Sequence, residues 1–114
     1  PMMGGSVSGL DQPVTKTTSC ILCLAHDDVA SMNPSACIRC GKCLEVCPER
    51  LMPAKLKNSA DNYKYDVFEK LGGLECIGCG CCTYICPARR RLSQSISVAK
   101  RHVLAEKKKA AAKK

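Results

Sequence analysis

Apolar side chains in the C-terminal part of the chain recur every three or four residues. This spacing is that of one helical face, and it predicts a helix over RLSQSISVAKRHVL. The expected buried face consists of Leu92, Ile96, Ala99 and Val103. Residues 100–114 are rich in lysine and alanine, and we expect them to form a frayed, solvated tail.

Two more helices are predicted between the cysteine-rich segments. In PAKLKNSA, Pro53 can occupy the first helical position, where a backbone N–H would have no helical partner. In DNYKYDVFEKLGG, Asp61 or Asn62 can cap the start and Gly72 can end the helix. The apolar positions of this second helix follow the spacing of one face and are Tyr63, Val67, Phe68 and Leu71.

The N-terminal region has a different pattern. PVTKTTSCILCL is rich in Thr, Val and Ile, which predicts one β-strand or a short hairpin, without an evident sheet partner. Because the chain also begins at Pro1, we expect a piece of a larger polypeptide. The predicted fold is mainly α, with a β or irregular segment at residues 1–36, a helical domain at 37–99 and a basic tail at 100–114.

Composition limits the core that these elements can build. The 114 residues include one Phe, three Tyr and no Trp, so a small domain of this kind needs additional cross-links. Eleven cysteines can supply them, and their odd number and short, regular spacings favour metal over disulfides. We find no signal peptide and no run of the roughly 20 apolar residues that a membrane span needs. We therefore expect a reducing, cytoplasmic compartment.

The same cysteine motif occurs twice. CIRCGKCLEVCP and CIGCGCCTYICP both follow the pattern Cys-x2-Cys-x2-Cys-x3-Cys-Pro, which is typical of cysteine ligation to a 4Fe-4S cluster. The first three cysteines of such a run can bind one cluster, whereas the fourth binds the other cluster in two-cluster ferredoxins. The predicted ligands of the first cluster are Cys37, Cys40, Cys43 and Cys86. Those of the second cluster are Cys76, Cys79, Cys82 and Cys47.

A pair of zinc sites is the main alternative. Zinc is usually bound by two separated Cys-x2–4-Cys knuckles rather than by four cysteines within one short run, so the spacing favours iron–sulfur clusters. Three cysteines are left over, and we interpret Cys20, Cys23 and Cys81 as small buried apolar residues. An additional redox or metal site at Cys20 and Cys23, with His26 three residues further on, is the less favoured alternative.

The net charge of the chain adds little to the functional interpretation. The formal net charge is +8, but two oxidised clusters with their thiolates would reduce it to roughly +4. Binding to nucleic acid is not predicted, since aromatic residues for stacking are scarce. Arg89, Arg90 and Arg91 follow the second Cys-Pro, and they can either balance the charge of a cluster or dock an acidic redox partner.

The two motifs also carry a family resemblance. SACIRCGKCLEVCPERLMPAKL and ECIGCGCCTYICPARRRLSQSISVAKR closely resemble the ferredoxin-like segment of the C subunit of the Rnf ion-translocating electron transport complex. PMMG and LDQPVTKTTSCILCL resemble the stretch just before that segment. The resemblance covers nearly everything except the Lys tail.

This resemblance implies a helical ferredoxin domain that relays electrons in a ferredoxin:NAD oxidoreductase on the cytoplasmic face of the membrane. The family's full subunit is longer and binds NADH and FMN upstream of the clusters, so neither is expected in this chain. Expected partners are other subunits of the complex, especially an iron–sulfur subunit, and ferredoxin-type proteins. A cobalamin-reductase-like host for the same domain is the alternative, and a structural zinc module is a more distant one.

Overall fold

The computed structural model describes residues 9–16, 18–23, 25–26 and 33–112. The chain divides into two compact units, Pro1–Met32 and Asn33–Lys114. No helix among the described residues is long and apolar enough to cross a membrane.

The N-terminal β segment is not confirmed. In the described part of PVTKTTSCILCL the backbone is irregular, with a turn in which the Thr18 N–H donates to the Thr15 carbonyl at 3.0 Å. The Thr15 N–H in turn donates to the Thr18 hydroxyl at 3.1 Å. Threonine hydroxyls that bond the nearby backbone favour such turns, and a single strand without a sheet partner would leave its backbone groups unpaired.

In the described part of the second unit, all regular secondary structure is helical. Its α-helices are α1 (Lys42–Glu45), α2 (Pro53–Asp61), α3 (Tyr65–Lys70), α4 (Cys81–Tyr84) and α5 (Leu92–Ala112), and a 3₁₀ turn covers Gly73–Glu75. The mainly α fold class is therefore confirmed.

The helix ends between the cysteine runs differ in part from the prediction. Pro53 is at the start of α2, as expected. The proposed cap at Asp61 or Asn62 is wrong, because α2 includes Asp61 and the Asn62 N–H bonds the Asn58 carbonyl at 3.2 Å. The next helix begins only at Tyr65. Gly72 follows α3 with φ 74°, a left-handed conformation that suits glycine at a helix end.

One small apolar core joins α2, α3 and α5. Its buried members are Leu56, Phe68, Ile96, Ala99 and Val103. All four residues of the predicted face of α5 are thus buried, with Leu92 1% exposed. Only half of the predicted face of α3 is correct: Phe68 is fully buried and Leu71 packs against the core, but Tyr63 and Val67 are exposed.

Residues 100–112 of the Lys/Ala tail are part of α5 rather than a frayed end. The helix continues to Ala112, and its last turns are exposed as expected for a basic segment. Two contacts hold this part of α5 against α3. The His102 ring stacks on Tyr65 with ring centroids 4.5 Å apart, and Lys107 forms an ion pair with Glu69.

The contact between Gly73 and Phe68 generates a prediction for stability. A Cβ atom at Gly73 would overlap the Phe68 ring, whereas one at Gly9 would meet nothing within 4 Å. We expect Gly73→Ala to destabilise the protein by about 1–3 kcal/mol, as overpacked cores do, and Gly9→Ala to have little effect. Thermal unfolding followed by circular dichroism under anaerobic conditions measures both variants, and equal melting temperatures would contradict the packing described here.

Candidate metal centre

The two cysteine runs fold into the same local structure. In each run a glycine with a left-handed backbone precedes a four-residue helix: Gly41 (φ 82°) precedes α1 and Gly80 (φ 81°) precedes α4. The Leu44 N–H bonds the Gly41 carbonyl at 2.8 Å, and the Thr83 N–H bonds the Gly80 carbonyl at 2.9 Å. The repeat in sequence is therefore also a repeat in backbone conformation.

A second repeated feature follows each Cys-Pro pair. Arg50 and Arg89 both have positive φ, 52° and 51°, which is uncommon for residues other than glycine. Each donates its backbone N–H to the carbonyl of the cysteine before the proline, at 3.0 Å from Cys47 and 3.0 Å from Cys86. These matched turns give the two Cys-Pro segments the same backbone conformation and the same backbone hydrogen bond.

The structure brings the predicted ligands together in two sets. The first cavity is lined by cysteines Cys37, Cys40, Cys43 and Cys86. The second cavity is lined by cysteines Cys76, Cys79, Cys82 and Cys47. Each cavity thus combines three cysteines of one run with the fourth cysteine of the other run.

Contacts between the two runs produce this exchange. Helix α1 packs against α4. The Ser35 N–H, just before the first run, donates to the Ala88 carbonyl, just after the second, at 3.0 Å. Pro53, at the start of α2, lines both cavities, and so the spacer between the runs also contributes to both sites.

The first turn of α5 is fixed beside the second cavity. Ser93 lines this cavity, and its N–H donates to the Thr83 hydroxyl oxygen at 2.9 Å. The Thr83 hydroxyl donates to the Ser93 hydroxyl at 2.9 Å, so α4 and the start of α5 are joined by two hydrogen bonds. The partial positive charge at a helix N-terminus favours an anionic group nearby.

The thiols of the two cavities differ in acidity because their burial and their hydrogen bonds differ. Desolvation raises the pKa of the Cys82 thiol to about 11, and desolvation also raises the pKa of Cys43. The Arg39 backbone N–H lowers the pKa of Cys37, and the hydrogen bond and charge of the Arg90 side chain lower it further. The Leu51 N–H donates to the Cys47 sulfur at 3.4 Å.

This donor set fits iron–sulfur clusters. Thiolate is the usual ligand of 4Fe-4S clusters, and backbone N–H groups directed at sulfur are among the features that tune them. A metal would deprotonate even the buried Cys82 thiol on binding. Among the residues that the structure describes, no group of three or more His, Cys, Asp or Glu side chains converges on a position for a single metal ion.

The remaining predicted residues occupy different environments. Cys81 lines neither cavity, but hydrogen bonding to Cys79 raises its pKa. Cys20 and Cys23 are exposed, which does not fit the buried apolar role expected for them.

The arginine run is divided by the fold. Arg90 is half-buried and lines the first cavity, whereas Arg89 and Arg91 are exposed. Arg39 and Lys55 line the same cavity and were not singled out by the sequence. The position of Arg39 inside the first run could have indicated that it lies beside the first cavity. Nothing in the sequence indicates the same position for Lys55.

Comparison with known proteins agrees with the two cysteine-lined cavities. A family model described as a 4Fe-4S dicluster domain matches residues 36–90. The C subunit of the Na(+)-translocating ferredoxin:NAD(+) oxidoreductase complex of Acetobacterium woodii is 48% identical over 109 residues, which is 96% of this chain and 25% of that protein. The chain therefore spans about a quarter of the length of this relative.

Two further relatives carry related names. The C subunit of the ion-translocating oxidoreductase complex of Vibrio cholerae is 42% identical over 72 residues, 62% of this chain and 9% of that protein. The C subunit of the proton-translocating ferredoxin:NAD(+) oxidoreductase complex of Clostridium ljungdahlii is 50% identical over 56 residues, 49% of this chain and 12% of that protein.

The difference in thiol acidity generates a prediction for the cluster-free chain. The thiolate is the reactive form, so at about pH 7 iodoacetamide should alkylate Cys37 much faster than Cys82. Raising the pH towards about 9 should speed the reaction of Cys82 about tenfold per unit, because its pKa lies above this range. Quantitative peptide mass spectrometry measures both sites, and equal rates at about pH 7 would contradict the assigned burial.

Proposed function

Because the chain belongs to the C-subunit family of Rnf-type ion-translocating ferredoxin:NAD oxidoreductase complexes, we propose that it is an electron-transfer module with two 4Fe-4S clusters. The observation that carries this proposal is the sorting of eight thiols into two cavities with four cysteines each. A 4Fe-4S dicluster domain over residues 36–90 supports the same cofactor.

The ligand assignment is crossed between the runs. Cys37, Cys40, Cys43 and Cys86 hold the first cluster, and Cys76, Cys79, Cys82 and Cys47 hold the second. When bound, each cluster supplies a one-electron redox couple whose potential depends on net charge, hydrogen bonds and solvent exposure. The chain's own residues act by fixing the sulfurs, donating backbone N–H bonds such as that from Leu51 to Cys47, and excluding water around Cys82.

The module acts as part of a larger assembly. It relays electrons between a flavin and NADH site elsewhere in the subunit and ferredoxin-type partners, including a neighbouring iron–sulfur subunit. In this proposal FMN and NADH bind outside this chain, and the assembly lies on the cytoplasmic face of the membrane. Relatives named for sodium translocation and for proton translocation both match this chain.

A basic surface beside the first cavity is the proposed docking site for an acidic redox partner. It consists of Arg89, Arg90 and Arg91, of which the first and last are exposed. Complementary charge accelerates the encounter of such partners and is screened by salt.

The proposal is tested by metal analysis and spectroscopy of anaerobically prepared protein. We expect about eight iron and eight sulfide per chain, a brown colour that bleaches with dithionite, and an electron paramagnetic resonance signal after reduction. Colourless protein that contains about two zinc ions per chain would contradict it and would support a structural zinc module instead.

The crossed ligation is tested by Cys47→Ser. Although Cys47 belongs to the first run, we expect its loss to damage the cluster held by Cys76, Cys79 and Cys82, because Cys47 lines their cavity. Cys86→Ser is the matched variant and should damage the other cluster. Electron paramagnetic resonance of the reduced protein separates the two outcomes, and damage confined to the first cluster in Cys47→Ser would disprove the exchange.

The unused cysteine pair provides a further prediction. Replacing Cys20 and Cys23 together by serine should leave about eight iron atoms per chain, since two 4Fe-4S clusters need no more ligands than the two cavities supply. Cys37→Ser is the comparison, with a lower iron content expected. A loss of iron in the double variant would show that the exposed pair is a ligand pair.

A further inference from the structure

The side chains around the two cavities differ in charge. Among the described residues that line the first cavity there are three cations, Arg39, Lys55 and Arg90, and no carboxylate. The lining of the second cavity contains Glu49 and no cation. One cation does lie close by, because the Lys100 ammonium donates a 2.9 Å hydrogen bond to the Cys76 carbonyl. The charges around the second site are therefore nearly balanced, and those around the first are positive.

The two sites also differ in exposure to solvent. Cys37 and Cys40 of the first cavity are exposed, whereas Cys82 of the second is buried. Reduction adds one negative charge to a cluster that is already anionic. Water and nearby cations stabilise that added charge, while burial opposes it. The positive charge and the greater exposure of the first site therefore both favour reduction of the first cluster.

Arg90 is the most direct of these charges. It is half-buried, so solvent screens it less than a fully exposed arginine. Its side chain lines the first cavity together with Cys37, a predicted ligand of the first cluster. The corresponding position of the first run, Leu51, places an apolar side chain in the second cavity.

We propose that the first site is the electron-accepting end of the module, because Arg39, Lys55 and Arg90 stabilise the reduced form of its cluster more than the surroundings of the second site do. This inference rests on the proposed function, since it requires both clusters. With both clusters bound, one electron would pass from the reduced second cluster to the oxidised first cluster, without the making or breaking of a bond and without a proton.

The test is a redox titration of the anaerobically prepared protein with dithionite as the electron donor, followed by electron paramagnetic resonance. The two signals are assigned with Cys37→Ser, which alters the first cluster, and Cys79→Ser, which alters the second. We expect the first cluster to be reduced before the second. Reduction of the second cluster first, or of both at the same potential, would overturn the inference.

The variant Arg90→Gln tests the cause of the difference. Removing this cation should lower the ratio of reduced to oxidised first cluster at a fixed potential by about three- to tenfold, where tenfold corresponds to about 59 mV for a one-electron couple. The second cluster should change much less. Glu49→Gln is the reciprocal variant, and it should raise the same ratio for the second cluster.

Arg101→Gln is the matched control. Arg101 is exposed on α5 and lines neither cavity, so the same loss of charge should leave both ratios nearly unchanged. If Arg90→Gln and Arg101→Gln shift the first cluster equally, the local role of Arg90 is wrong. Protein without iron would instead contradict the proposed function itself, and so the two failures are distinguishable.

Discussion

The arrangement of this protein depends on the exchange of one cysteine between two short runs. Neither run supplies four thiols to a cavity, because its fourth cysteine lies in the cavity of the other run. A site of this kind is complete only when the two runs, whose equivalent cysteines are 39 positions apart in sequence, are in contact. Metal binding to such a site is therefore coupled to folding, which suits a chain whose apolar core contains only one phenylalanine and no tryptophan.

The helices between and after the runs maintain this contact. Helix α2 packs on α5 around Leu56 and Ile96, and the Phe68 side chain of α3 closes the same core. Because α2 follows the first run and α5 follows the second, packing of these helices holds the two runs together. The small core thus has a positional role in addition to its contribution to stability.

Repetition of the motif does not make the two sites equal. The backbone conformations agree closely, down to the positive φ of Arg50 and Arg89. The side chains that line the two cavities differ. The first site is basic and more exposed, whereas the second site is more buried and lies beside Glu49. Two sites with identical surroundings would stabilise an added electron equally. Unequal surroundings can favour one site over the other.

The sequence by itself determined what depends on local spacing. The cysteine spacing predicted the two sets of four cysteines that line the cavities, the period of apolar residues identified the buried face of α5, and Pro53 marked the start of α2. The tertiary structure alone decided what depends on residues distant in sequence. It turned Arg90 towards the first cavity and left Arg91 in solvent, and it buried Phe68 while exposing Val67. It also left the described residues of the threonine-rich N-terminal stretch without a strand, because β-structure requires a partner that periodicity cannot provide.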